Sequence, residues 1–156
     1  MESEVKKPEL ASSGKRIGAF FIDTIPIVIL VFLVFYFLFD FNETLHAYIN
    51  RGDQIEPRIR FLKQRNVIRE IAFLVWILYC IFMESSDKGG TYGKQLMKIR
   101  VVDAKGSPLD LSKSLIRNLS KILSYAVLFL GFIWILFDSK RQGWHDKIAK
   151  TYIIND

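Results

Sequence analysis

The chain carries a single cysteine, Cys80, among 156 residues, which excludes an internal disulfide and any cysteine-based metal site. Histidine is almost as scarce. His145 stands beside Asp146, but the other histidine, His46, lies in a different segment and no acidic cluster accompanies either one. No metal site is expected from such a set. The stretch GGTYGKQ invites comparison with a phosphate-binding loop and lacks its requirements. The spacing needs Gly at 88, where Lys88 stands, and Ser or Thr at 95, where Gln95 stands. No Ser/His/Asp or Cys/His set can be assembled, so neither an enzyme activity nor a cofactor is expected. Internal repeats and low-complexity tracts are absent as well. So is a continuous basic stripe interleaved with aromatics: the net charge of +6 comes from residues that flank apolar runs. Nucleic acid is therefore not an expected partner, and contact with anionic lipid accounts for the charge.

What the sequence has in quantity is apolar side chain. AVILMFWYC residues make up 51%, with 13 Phe, which is heavy for a soluble chain of this size. They gather into three runs. The first, Ile17 to Phe39, is broken only by Asp23, Thr24 and Pro26; the second, Val67 to Met83, has Arg69 and Glu70 in its first turn; the third, Ile122 to Phe137, carries no charge. As helices they measure about 34, 25 and 24 Å, against a hydrocarbon core of ~30 Å. The expected fold is an all-α integral membrane protein. Two helices near 17–39 and 67–83 span, and a third segment near 122–137 spans or re-enters.

Residues 1–15 are polar and mixed in charge. The run after them is too long for a signal h-region and is not closed by a small-residue cleavage site, so 1–15 reads as a cytoplasmic tail and 16–156 as the membrane domain. Lys6, Lys7, Lys15 and Arg16 precede the first run and Asp40 and Glu43 follow it, which puts the N-terminus inside. The loop from 40 to 66 then faces out, although Arg58, Arg60, Lys63 and Arg65 crowd its end. RIRFLKQR reads as an amphipathic helix on the outer surface, with Ile59, Phe61 and Leu62 in the headgroups.

Beyond the second run the pattern changes. Ile99, Val101 and Val102 lead into Asp103-Ala104-Lys105-Gly106, a strand followed by a type I turn. KTYIIND at the end is the other strand candidate. A strand this short needs a partner, so 98–103 and 150–154 are expected to pair as a small cytoplasmic β element. Pairing puts both on one side of the membrane, and the C-terminus with the N-terminus. LDLSKSLIRNLSKILSY between them reads as an amphipathic helix whose basic stripe, Lys113, Arg117 and Lys121, rests on the cytoplasmic leaflet. Gly131, near the middle of the third run, suits a broken or re-entrant segment.

The chemistry centres on Arg16 and Asp23. Seven residues apart, they share one helix face about 10 Å apart along the axis. Arg16 reads as an anchor that snorkels to lipid phosphate. Asp23 is a carboxylate inside an apolar run, where insertion costs roughly 2.5 to 3.5 kcal/mol, so it must be paired or retained for a task. Arg117 and Lys121 are its expected partners. The ordinary reading of Asp138 and Asp146 is as caps and salt-bridge partners of Lys140, Arg141 and Lys147.

These residues together resemble the RDD family of small bacterial membrane proteins, named for one arginine and two aspartates. Arg16 and Asp23 are similar to the arginine and first aspartate. Thr91, Gly93 and Lys94 fit a Thr-x-Gly-Lys turn, Arg117-Asn118 resembles an Arg-Asn pair ahead of the last segment, and Gly143, His145, Asp146 and Thr151 match the closing block. The second aspartate is Asp146 or Asp138. The resemblance implies a multi-pass protein of the cell membrane with a role in transport, including cation/proton antiport for some members. Three segments are too few to enclose a pathway, so that role implies a homo-oligomer or a membrane partner, with Asp23 exchanging protons for monovalent cations. The other function class is a structural or accessory membrane protein that docks a partner through its cytoplasmic face.

Overall fold

Helix α1 spans Ser13–Leu38 and helix α3 spans Ile55–Glu84. Both are long and apolar enough to cross a membrane. The computed structural model describes residues 9–127 and 130–156, so Lys6, Lys7 and residues 128–129 of the third run lie outside the described residues. The chain divides into two compact units, one of Met1–Asp23 with Ile77–Asp156 and one of Thr24–Trp76.

In the unit Thr24–Trp76, the expected outer loop is largely helical. Asp40, in the left-handed region at φ 53°, separates α1 from α2, Phe41–Ile49. The RIRFLKQR stretch is the opening of α3, not a separate surface helix. An apolar face explains the difference. Phe41, Ile68 and Ala72 are buried with Val31, and Phe61 packs on that core and stacks on Tyr48 with ring centroids 4.1 Å apart. Phe61 is thus held by protein rather than dipping into lipid headgroups.

The other unit carries the β element. Strands β1, Ile99–Asp103, and β2, Thr151–Asn155, pair antiparallel as expected, with Val101 opposite Ile153. Neighbours cover both edges: Leu10 bridges to Ile154, and the Val101 N–H donates to the Gly89 carbonyl at 2.7 Å. Gly89 has φ 60° and a Cβ there would meet the Val101 carbonyl at 3.1 Å. The core of this unit is Ala11, Ala19, Ile99, Val101, Leu109 and Ile153. After β1 the Gly106 N–H returns to the Asp103 carbonyl at 3.0 Å, and the Asp103 side chain accepts from the Lys105 and Ser107 N–H groups. This is the expected turn.

Helix α5, Leu111–Ala126, starts on Asp110, whose carboxylate accepts from the Lys113 N–H at 2.7 Å and caps the first turn. It is followed by α6, Leu130–Ile133, and a 3-10 turn, Trp134–Leu136. The segments on either side of 128–129 are turned 114° to each other. Helix α4, Tyr92–Leu96, and helix α7, Trp144–Ala149, are short and lead into β1 and β2.

Helix α5 corrects the sequence reading. Arg117 and Lys121 are buried together with Ser114, Asn118 and Ser124, while Leu111, Leu115, Ile116, Leu119, Ile122 and Leu123 are exposed. The basic stripe faces inward because two acids wait for it there. Lys113, at the edge, reaches Asp103 at 2.8 Å.

Candidate functional site

Asp23 does not meet Arg117 or Lys121. Its Oδ1 accepts from the Tyr79 hydroxyl at 2.9 Å and the Gly93 N–H at 2.7 Å, and its Oδ2 from the Thr91 hydroxyl at 2.6 Å. The Tyr92 N–H donates to the Tyr79 hydroxyl at 2.8 Å, tying that donor back to α4. Thr91 and Gly93, read as parts of a turn, are thus carboxylate ligands. Gly93 has no room for a side chain: a Cβ would sit 2.2 Å from the Ala19 carbonyl oxygen of α1. The glycine allows the close approach, and the close approach lets a backbone N–H reach a buried carboxylate.

The larger constellation runs through Arg117. Its Nη1 donates to Glu84 Oε2, while Nε and Nη2 donate to Asp146 Oδ1 at 3.1 and 2.8 Å. One guanidinium therefore bridges two carboxylates, as a planar fork with five N–H donors can. Beyond Glu84 stands Lys94, whose Nζ is 2.7 Å from Oε1. Beyond Asp146 stands Arg16, whose Nη2 pairs with Oδ2 and whose Nη1 donates to the Arg141 carbonyl. The result is a ladder of alternating sign: Lys94, Glu84, Arg117, Asp146, Arg16. Glu84, Arg117 and Asp146 are at most 1% exposed.

Neutral groups complete the set. The Asn118 side-chain amide donates to Glu84 Oε2 at 2.9 Å, its carbonyl accepts from Lys121 Nζ at 2.6 Å, and the Ser114 hydroxyl donates to the Ile81 carbonyl of α3 at 2.8 Å. Asp146 Oδ2 also accepts from the Gly143 N–H at 3.0 Å, the return contact of a helix-capping carboxylate. Thr151 is buried behind it, and the Gln142 amide donates to the Thr151 carbonyl at 2.9 Å. Burial opposes ionisation of Asp146, but the guanidiniums of Arg16 and Arg117 outweigh it and hold this carboxyl well below the usual carboxylate range.

Burial also pulls the His145 imidazole down to about 3, against the attraction of Asp146 and with help from Arg117, Lys121 and Arg16. The unfolded chain takes up this proton near pH 6.5 and the folded chain does not, so stability is full above about 6.5 and falls as pH drops toward 3. His145→Gln is expected to flatten the dependence of the urea midpoint on pH between about 6.5 and 5, above the range where unfolded carboxylates mostly titrate. An unchanged slope would refute that assignment.

Asp138 stands apart. Its Oδ2 accepts from the Lys140 and Gln142 N–H groups and its Oδ1 pairs with Lys147, so it caps a turn, the ordinary role read for it. The Lys147 contact and hydrogen bonding keep its carboxyl low. Arg16, read as a lipid anchor, is instead committed to Asp146.

Sequence reasoning missed Glu84, Lys94's partnership with it, and Tyr79. Glu84 closes the second apolar run just before SSDKGG, where an acid reads as a helix end in water. Its one distinguishing signal is the polar face of α5, which carries more buried charge than Asp23 alone can satisfy. Among the described residues, no group of three or more His, Cys, Asp or Glu is placed to hold a metal ion.

Comparison with known proteins places the chain among related sequences. The chain is 32% identical to the uncharacterized protein YxaI of Bacillus subtilis over 54% of its own length and 55% of that protein's. It is 32% identical to the proline-rich antigen homolog of Mycobacterium tuberculosis over 54% of its own length and 34% of the relative's. A third relative, the uncharacterized protein RP437 of Rickettsia prowazekii, is 37% identical over 43% of this chain and 37% of that protein. The chain thus spans from about a third to about half of the curated relatives it matches. No solved structure matches it. The family model that matches, the RDD family, covers residues 10–150, from the β2-edge bridge through Arg16, Asp23, Arg117 and Asp146 to the end of α7, and the chain belongs to the RDD family.

Proposed function

We propose that this protein is a multi-pass protein of the cell membrane with both termini in the cytoplasm, acting as a structural or accessory component that presents its β element to a membrane partner protein. The ladder from Lys94 to Arg16 is the clamp. It joins the start of α1, the end of α3, α4, α5 and α7 through side chains removed from water, so the β element is held to those helix ends in one geometry. One observation carries the reading: Glu84 is engaged by Arg117, Lys94 and Lys121 and Asp146 by Arg16 and Arg117, all of the same chain. An acid held in this way is a poor site for a passing cation, because each charge removed leaves its partner buried and uncompensated. Asp146 is, on this reading, the second aspartate of the family pattern.

A second reading has its own support. Asp23 is 7% exposed and makes no ion pair among the described residues, and an ionisable group inside an apolar helix marks an ion or proton pathway in many membrane proteins. In an oligomer, Asp23 would exchange a proton for a monovalent cation. The two readings part in proteoliposomes loaded with a pH-sensitive dye, with the parent chain and Asp23→Asn reconstituted at matched density. The accessory reading expects no cation-driven proton flux from either. Flux from the parent that disappears in Asp23→Asn would overturn it in favour of antiport.

A further inference from the structure

Helix α5 is built inside out. Ser114, Arg117, Asn118, Lys121 and Ser124 are each 5% exposed or less, while Leu111, Leu115, Ile116, Leu119, Ile122 and Leu123 are all between 43 and 54% exposed. At 100° per residue the two sets centre on opposite sides of the helix. A helix lying on a water-soluble protein shows the reverse, with its apolar stripe inward and its charges in solvent. The polar side of α5 cannot turn outward without breaking the ladder, so the aliphatic side must face whatever surrounds the unit.

We infer that this aliphatic face is a lipid-contacting surface, and that α5 with α6 forms a hairpin that dips into the hydrocarbon from the side carrying the β element and returns to it. The inference rests on the membrane reading of the protein and adds to it a path and a partner. Both ends of the hairpin are tied to one sheet. Lys113, in the first turn of α5, is paired with Asp103 at the end of β1, and α7, bonded to α5 through Arg117 and Asp146, runs directly into β2. Since β1 and β2 are hydrogen-bonded partners, the chain between them starts and finishes on one side of the bilayer.

The dimensions agree. Helix α5 has 16 residues, about 24 Å, short of the ~30 Å hydrocarbon core. The segments on either side of 128–129 lie at 114° to each other, where a single crossing would keep one direction. The returning arm packs back on the descending one: a Cβ on Gly131 would meet Ser124 Oγ of α5 at 2.0 Å and the Trp144 ring at 3.1 Å. Gly131, on the returning arm, is buried.

Lipid fits the outer face better than a second copy of the chain. Its large exposed residues are leucine and isoleucine, with the small Ser112 and Ala126 beside them. The cores of protein interfaces are enriched in aromatic residues, Met and Arg, and this face offers none of them.

The test uses the full chain in lipid nanodiscs, with a nitroxide on Leu115→Cys, Leu119→Cys or Ile122→Cys, each in a Cys80→Ala background. Ile29→Cys on α1 serves as the reference for bilayer insertion. Collisional relaxation by oxygen, which concentrates in lipid, is compared with relaxation by a water-soluble nickel chelate. At all three α5 sites oxygen is expected to exceed nickel by several-fold, with depth increasing from Leu115 to Ile122. Nickel access at α5 with lipid exposure at Ile29 would overturn the inference and leave the membrane reading standing. Nickel access at Ile29 as well would overturn both. Low access to both reagents at α5 would put a second copy there and overturn the lipid assignment. In sealed vesicles, Ser107→Cys and Ser139→Cys should react with an impermeant thiol reagent from the same side; reaction from opposite sides would overturn the hairpin.

Discussion

Arg117→Met is expected to lower the stability of the folded chain by about 3 to 5 kcal/mol, the cost of removing one partner from a buried ion pair. Two carboxylates are affected at once. Glu84 loses the Nη1 contact and keeps Lys94, Asn118 and the longer 3.8 Å pair with Lys121, whereas Asp146 loses both the Nε and Nη2 contacts and keeps Arg16 and the Gly143 N–H. Arg117→Lys should recover little of the loss, because an ammonium on a flexible stem is one point charge and cannot fork between two acids. Adding Glu84→Gln to Arg117→Met should restore part of it, since the second change removes one of the stranded charges. The comparison variant is Arg69→Ala, whose pair with Glu70 is 3.8 Å long with both side chains at least 70% exposed; such surface pairs are worth ~0–1 kcal/mol. Denaturant unfolding in detergent micelles reads all four. If Arg117→Met unfolds at the same midpoint as Arg69→Ala, the ladder is not a structural clamp.

Gly93→Ala is the second large effect. The added methyl would stand 2.2 Å from the Ala19 carbonyl oxygen and 2.8 Å from Asp23 Oδ2. The first obstacle is backbone of α1, so no rotamer change relieves it, and Ala19→Gly does not help. Helix α4 must instead withdraw from α1. Overpacking of this kind costs about 1 to 3 kcal/mol, and withdrawal also loosens the hydrogen bonds of Asp23 to the Gly93 N–H and the Thr91 hydroxyl. Gly14→Ala is the control, because nothing lies within 4 Å of a Cβ there. Protease susceptibility of residues 86–98 and the thermal midpoint in detergent should both move for Gly93→Ala and stay put for Gly14→Ala. Equal behaviour would mean that the contact between α1 and α4 is soft.

The strands were legible because their signals are local. β-prone residues at 99–102 and 152–154, a turn beginning at Asp103 and the brevity of both segments imply each other before any coordinate is known. The apolar runs were legible for the same reason, since hydropathy over twenty residues does not depend on what the helix packs against. Their ends were less so: α3 begins twelve residues before the run at Val67, since Phe61 finds a core with Phe41 and Tyr48, and that core is made by residues remote in sequence.

The partners of the charges were the part that periodicity could not supply. Lys113, Arg117 and Lys121 at four-residue spacing describe a stripe, and the same stripe serves a helix lying on lipid or one turned toward buried acids. Composition, run length and the Arg16 to Thr151 motif residues by themselves determined that this is a small apolar-helix protein of the RDD family with a two-stranded element. Only the tertiary structure decided that Asp23 is held by Tyr79, Thr91 and Gly93, that Glu84 belongs with Arg117 and Asp146, and that α5 turns its charges inward. The physical reason is range. Hydropathy and turn preference act between neighbours along the chain, whereas a buried charge is decided by whichever opposite charge the fold brings within about 3 Å, here from residues 10 to 130 positions away.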